Sequence, residues 1–124
     1  MTEEVRLGPY RFARHVGWGL LPSTIHFGDV PAVAVDSRDR LFVFTRADDP
    51  VVVLESDGTF VATWGRGMFT RPHGLYIGPD DTVYCVDDEG QRVRIFTPDG
   101  EHLSDIAGPD QSAVTGYVPR ASPS

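Results

Sequence analysis

The chain repeats itself once, in register, forty-two residues on, and this offset constrains its fold more than any other feature. Val33-Ala34-Val35-Asp36 lies over Leu75-Tyr76-Ile77-Gly78, and Leu41-Phe42-Val43 lies over Val83-Tyr84-Cys85. Val51-Val52-Val53-Leu54 then meets Val93-Arg94-Ile95-Phe96, and Asp57-Gly58 meets Asp99-Gly100, with no gap between. The apolar runs are short, β-branched and aromatic, which favours strands over buried helix. A unit of about forty residues with four strand signals is the sequence mark of a propeller blade. One such unit cannot bury both of its faces, so the repeat predicts an all-β fold and a need for further blades.

Each copy reads as four antiparallel strands. The first copy places them at about 32–35, 40–45, 51–55 and 60–64, the second at about 74–77, 82–86, 92–96 and 101–106. Between them stand Ser37-Arg38-Asp39, Gly78-Pro79-Asp80-Asp81, Ser56-Asp57-Gly58 and Pro98-Asp99-Gly100. Asp-Gly supplies the positive φ of a tight hairpin, and Pro pre-sets the first turn position. The expected organisation is an orphan strand at about 10–19, a blade at 31–72, a blade at 73–108 and a tail at 109–124. Trp18-Gly19 echoes Trp64-Gly65, so the orphan strand reads as the outermost strand of a preceding blade. Propellers close with about four to eight blades. Two blades therefore imply either missing carboxyl-terminal blades or a ring of copies, three chains giving six blades. Missing blades are the simpler reading.

Composition narrows the partners. A net charge of −7 argues against nucleic acid, whose phosphates need a basic face. Hydrophobic content of 40% is enough for a packed core despite 13 Gly and 10 Pro. No apolar run approaches the length of a membrane span. The amino-terminal Met1-Thr2-Glu3-Glu4-Val5-Arg6 is acidic and has no apolar stretch of the signal-peptide kind, which points to a cytoplasmic, soluble protein. The single cysteine, Cys85, falls on an expected strand and reads as a small buried hydrophobe. No nucleotide-binding loop, Ser/His/Asp set or CxxC is present.

Antiparallel order puts the start of a blade's first strand and the end of its second on one rim. His73 and Arg46 thus share a rim, as do Asp88, the repeat-equivalent of Arg46, and Glu89. Taken alone, Arg46 beside Asp48 and Asp49 reads as a surface ion-pair residue, and His73 as an ordinary hydrogen-bonded histidine.

The repeats resemble the NHL family, with Phe-x-x-x-Trp-Gly present as Phe60 to Gly65. More narrowly, Val33 to Asp48 and Phe69-Thr70-Arg71-Pro72-His73-Gly74-Leu75 resemble the peptidyl-α-hydroxyglycine α-amidating lyase domain, a six-bladed NHL propeller. The resemblance covers about residues 10 to 117. It implies a metal-dependent lyase that cleaves a carbinolamide into an amide and glyoxylate, with a small-molecule or peptide-derived substrate. It also implies that His73 is one of three zinc ligands, that Arg46 contacts substrate, and that the backbone carbonyls of Val33 and Leu75 hold a calcium ion. The family's other two zinc histidines, catalytic tyrosine and calcium-binding aspartate have no counterpart here. Thr45 and Ala47 replace the His and Gly that usually flank the arginine. A single chain is therefore expected to be inactive. In a three-chain ring His73 would recur three times around the axis. The alternative is a non-catalytic NHL propeller fragment that binds proteins or ligands on its rim.

Overall fold

The computed structural model describes residues 2–108, so the expected tail at 109–124 lies outside the described residues. The chain is all-β, with no helix among the described residues. The strands are β1 (Thr2–Leu7), β2 (Tyr10–His15), β3 (Ala32–Val35), β4 (Leu41–Phe44) and β5 (Val51–Leu54). They continue with β6 (Phe60–Trp64), β7 (Pro72–Ile77), β8 (Val83–Asp87), β9 (Arg92–Phe96) and β10 (His102–Ala107). β3-β4-β5-β6 form one four-stranded antiparallel sheet, β7-β8-β9-β10 a second, and β1-β2 a separate pair. No helix of the described residues is long and apolar enough to cross a membrane.

The forty-two-residue offset survives at the level of single hydrogen bonds. The Asp36 N–H donates to the Arg40 carbonyl at 3.1 Å, as Gly78 does to Thr82 at 2.9 Å. The Glu55 N–H donates to the Thr59 carbonyl at 2.8 Å, as Thr97 does to Glu101 at 2.9 Å. Asp39 and Asp81 both take left-handed backbone, at φ 59° and 65°, and Gly58 and Gly100 do so at 90° and 92°. Both Asp-Gly glycines have a second constraint. A Cβ on Gly58 would meet the Trp18 carbonyl, and one on Gly100 would meet the Trp64 ring.

Directly paired residues share a face, so the register shows what the sheets bury. Phe42, Phe44, Val51 and Val53 of the first sheet meet Val83, Cys85 and Phe96 of the second in one fully buried cluster. Met68 and Phe69, from the linker between the sheets, close its side. Phe69 meets Phe44 edge-on at 5.0 Å between ring centroids, and Trp64 stands 4.9 Å from Phe96. Burial makes Cys85 the small hydrophobe expected and pushes its thiol pKa up to about 12. The opposite face of the first sheet buries Val43, Val52 and Leu54 under Leu21 and Ile25 of the segment that precedes it.

A polar clasp joins the two repeat units at one end. The Ser37 N–H and hydroxyl donate to the two Asp81 carboxylate oxygens at 2.8 and 2.6 Å. The hydroxyl and then the amide of Ser37 hold the Asp81 carboxyl below the usual carboxylate range.

One expectation is corrected. Tyr10–His15 is not an orphan, because Thr2–Leu7 pairs with it antiparallel through a two-residue Gly8-Pro9 connection. An isolated strand leaves its backbone groups without partners, and the Val5/Leu7 alternation supplies a second strand to satisfy them. Trp18-Gly19 lies outside β2 and runs against the first sheet instead, with the Leu20 N–H donating to the Gly58 carbonyl at 2.9 Å.

Candidate functional site

The site is built where β4 ends, β7 begins and β8 turns into β9. At the end of β4 the Thr45 hydroxyl, fully buried, accepts the N–H groups of Gly28 at 3.1 Å and Ala47 at 2.9 Å. Forty-two residues on, the Asp87 carboxylate ends β8 and does the same work. It accepts the N–H groups of Thr70 at 2.8 Å, Arg71 at 2.9 Å and Gly90 at 2.9 Å. Gly28 and Thr70 are themselves repeat-equivalents, so each unit ties the linker that enters it to the end of its own second strand. A Cβ on Gly90 would run into the Asp87 carboxylate, which explains a glycine at that turn.

This anchoring sets the positions of the residues that the sequence singled out. The Arg46 N–H donates to the Asp29 carbonyl at 2.9 Å, and its equivalent Asp88 to the Arg71 carbonyl at 3.3 Å. The Arg46 side chain turns toward the second unit, where Nε donates to the Pro72 carbonyl at 3.0 Å. The simple ion-pair reading of Arg46 is not what forms. Asp49 instead takes Arg66 through a forked pair of bonds at 3.1 Å, and Arg46 makes no ion pair among the described residues. An open hollow of about 350 Å³ lies beside the guanidinium, lined by Pro50, Phe69, Thr70 and Pro72 among others.

His73 follows Pro72 directly, but it lies within β7 rather than before it. The register skips it between Pro72 and Gly74, so it is a bulge residue. Its side chain is 57% exposed and its Nδ1 is 3.7 Å from an Asp88 oxygen, beyond hydrogen-bond reach. Arg71 lies 3.7 Å from Asp88 and 3.6 Å from Glu89, so these carboxylates already face a cation. The Asp88 oxygen that faces Arg71 is screened from solvent and accepts no hydrogen bond among the described residues.

Val33 and Leu75 sit at matching places on β3 and β7, each an edge strand of its sheet. β3 and β7 lie against one another, so both positions fall along the line where the sheets come closest. Their side chains differ in fate: Leu75 packs against the shared core, while Val33 is 56% exposed.

The fit to metal is incomplete. Zinc of the catalytic kind takes three protein ligands, whereas no group of three or more His, Cys, Asp or Glu suited to a metal occurs among the described residues. Calcium takes about six to eight oxygens, of which two backbone carbonyls are a small part. The structure thus joins Arg46 to the Pro-His segment and leaves His73 without companion imidazoles.

Sequence reasoning missed Asp87 and Thr45. The signal was available: each is the first polar side chain after an apolar strand run, and they are forty-two residues apart. Together these features define an all-β chain of two equivalent four-stranded sheets with a polar rim at their junction. No protein-family model matches the chain, and no curated protein matches it in sequence.

Proposed function

We propose that the chain is a propeller segment of NHL type whose rim, at Arg46 and His73, binds a carboxylate-bearing, peptide-derived ligand. In this reading the rim is the recognition part of a site like that of peptidylamidoglycolate lyase. The observation that supports it is the hydrogen bond from Arg46 Nε to the Pro72 carbonyl. A guanidinium held by its Nε is fixed in direction, and its terminal N–H groups suit the two oxygens of a carboxylate. Arg46 is half of what such a ligand needs, and the neighbouring hollow gives the rest of the ligand a place to lie. His73, immediately beyond Pro72, is the second polar side chain of the rim and is 57% exposed.

A single chain binds on this reading but does not cleave. No ligand set for zinc occurs among the described residues, and no tyrosine aligns with the family's base. A second reading, a non-catalytic rim that binds ligand for its own sake, is favoured by the ties of Arg71 to Asp88 and Glu89, which use those carboxylates structurally.

Calorimetric titration with an N-acetylated peptide ending in α-hydroxyglycine, and with its carboxyl-terminal amide, tests the proposal. The acid should bind more tightly than the amide, and Arg46→Ala should weaken the acid about tenfold while leaving the amide unchanged. Arg46→Lys should fall between, since an ammonium keeps the charge and loses the fork. Glyoxylate release by the chain alone should stay at background. Equal affinity for acid and amide, or an Arg46→Ala variant that binds normally, would reject the site.

A further inference from the structure

We propose that copies of this chain associate head to tail, the outer face of the second sheet of one copy docking on the leading face of the first sheet of the next. The outer face carries Tyr76, Tyr84, Val86, Val93, Ile95 and Ile106, which pair directly across the strands and so share one side. Tyr76 is 61% and Ile106 57% exposed. Moved back by forty-two residues, the last five become Phe42, Phe44, Val51, Val53 and Trp64. Those are the residues that the first sheet turns toward the second, four of them at most 2% exposed. The outer face therefore repeats the chemistry of a surface that is already seen buried, and no sheet covers it among the described residues.

The same offset identifies the occupant. The face that covers the first sheet is led by Leu75 and Ile77, whose equivalents on the leading face of the first sheet are Val33 and Val35. These two are 56% and 55% exposed. The two sheets approach closest along β3, β4 and β7, so Val33 and Val35 occupy the stretch where direct sheet-to-sheet contact is made. Farther out, the observed junction is filled by Trp64 beside Gly100 and by Met68 and Phe69 of the linker. On the leading face the corresponding fill is present within the chain, as Trp18 beside Gly58 with Leu21 and Ile25. The outer face has Ile106 at the place of Trp64, so the two surfaces hold one indole between them, as the observed junction does.

The junction between copies should be weaker than the one within the chain. The Ser37–Asp81 clasp becomes Pro79 facing Asp39, and proline has neither a hydroxyl nor an N–H to donate. The proposal does not depend on the ligand-binding reading of the rim.

Sedimentation velocity of the intact chain over a wide concentration range tests it. The mass should rise with concentration beyond that of one chain. Tyr76→Asp, which spoils the outer face, and Val35→Asp, which spoils the leading face, should each shift association at least about tenfold to higher concentration. Mixed in equal amounts, the two variants retain one intact junction and should form a dimer of one each and nothing larger. If either variant loses its β-sheet circular dichroism, Tyr76→Arg or Val33→Asp replaces it at an equally exposed position. A monomer at every concentration would overturn the proposal, as would self-association of Val35→Asp alone, which would show that outer faces meet each other.

Discussion

Truncating Phe96 to alanine should destabilise the chain by about 4 kcal/mol, within the range for losing a buried phenyl ring. Phe96 is fully buried at the centre of the shared core, between the Trp64 ring at 4.9 Å and the Phe69 ring at 5.8 Å. It belongs to the second sheet and its neighbours to the first sheet and the linker, so the cavity would open between the two repeat units. A loss of that size is a large part of the roughly 5–15 kcal/mol that holds a domain folded. Urea unfolding followed by tryptophan fluorescence measures it directly, because Trp64 lies against the ring removed. Phe96→Leu keeps most of the volume and should cost less than half as much. A Phe96→Ala variant with an unchanged midpoint would mean that the sheets do not pack through this cluster.

Asp87→Ala should cost about 3 kcal/mol, because three N–H groups lose one fully buried carboxylate acceptor. Thr70, Arg71 and Gly90 donate those groups, and the Arg92 guanidinium, 4.0 Å from the carboxylate, loses its nearest negative charge. The effect should reach the rim. Thr70 and Arg71 lead straight into Pro72, whose carbonyl orients Arg46, so affinity for the peptide acid should fall with stability. Asp87→Asn keeps one good acceptor oxygen and should lose less of both. Chemical denaturation and peptide titration on the same variants separate this anchoring role from simple loss of folding. Normal peptide affinity in a folded Asp87→Ala variant would show that the rim is held by something else.

The repeat made most of the architecture legible. Turn chemistry was legible because Asp39, Asp81, Gly58 and Gly100 are residue types that tolerate positive φ, and all four adopt it. The limits of β3, β6 and β9 were legible because turn residues flank each apolar run closely. The start of β7 was not. A proline before a histidine and a glycine looks like a linker, yet Pro72 pairs with Asp87 and His73 bulges between Pro72 and Gly74. The amino-terminal pair was missed for a related reason. The charges of Glu3, Glu4 and Arg6 hide an alternation that places Val5 and Leu7 on one face, and Gly8-Pro9 lacks the turn mark of Asp57-Gly58 and Asp99-Gly100.

At the candidate site, shared residence of Arg46 and His73 on one rim followed from strand order alone. Their actual link, a side-chain nitrogen on a backbone carbonyl, did not, because side-chain-to-backbone bonds leave no trace in composition or spacing. Asp49, next to Arg46 in the neighbourhood of the chain, chooses Arg66 seventeen residues away, a choice that sequence proximity cannot show. That choice leaves Arg46 with no carboxylate within ion-pair distance among the described residues, with Asp48 lining the same hollow.

The most direct test of two equivalent, mutually packed units is residue-resolved amide hydrogen exchange by NMR. Amides that are forty-two residues apart and donate equivalent bonds should be protected as pairs: Asp36 with Gly78, Arg46 with Asp88, Glu55 with Thr97, Gly58 with Gly100. Thr70 and Arg71 should be protected as well, through their bonds to Asp87. Matched protection in both units, lost from both together in Phe96→Ala, is the expected result. Protection in the first unit with exchange at unfolded rates in the second would contradict the equivalence on which the fold, the rim and the proposed assembly all rest.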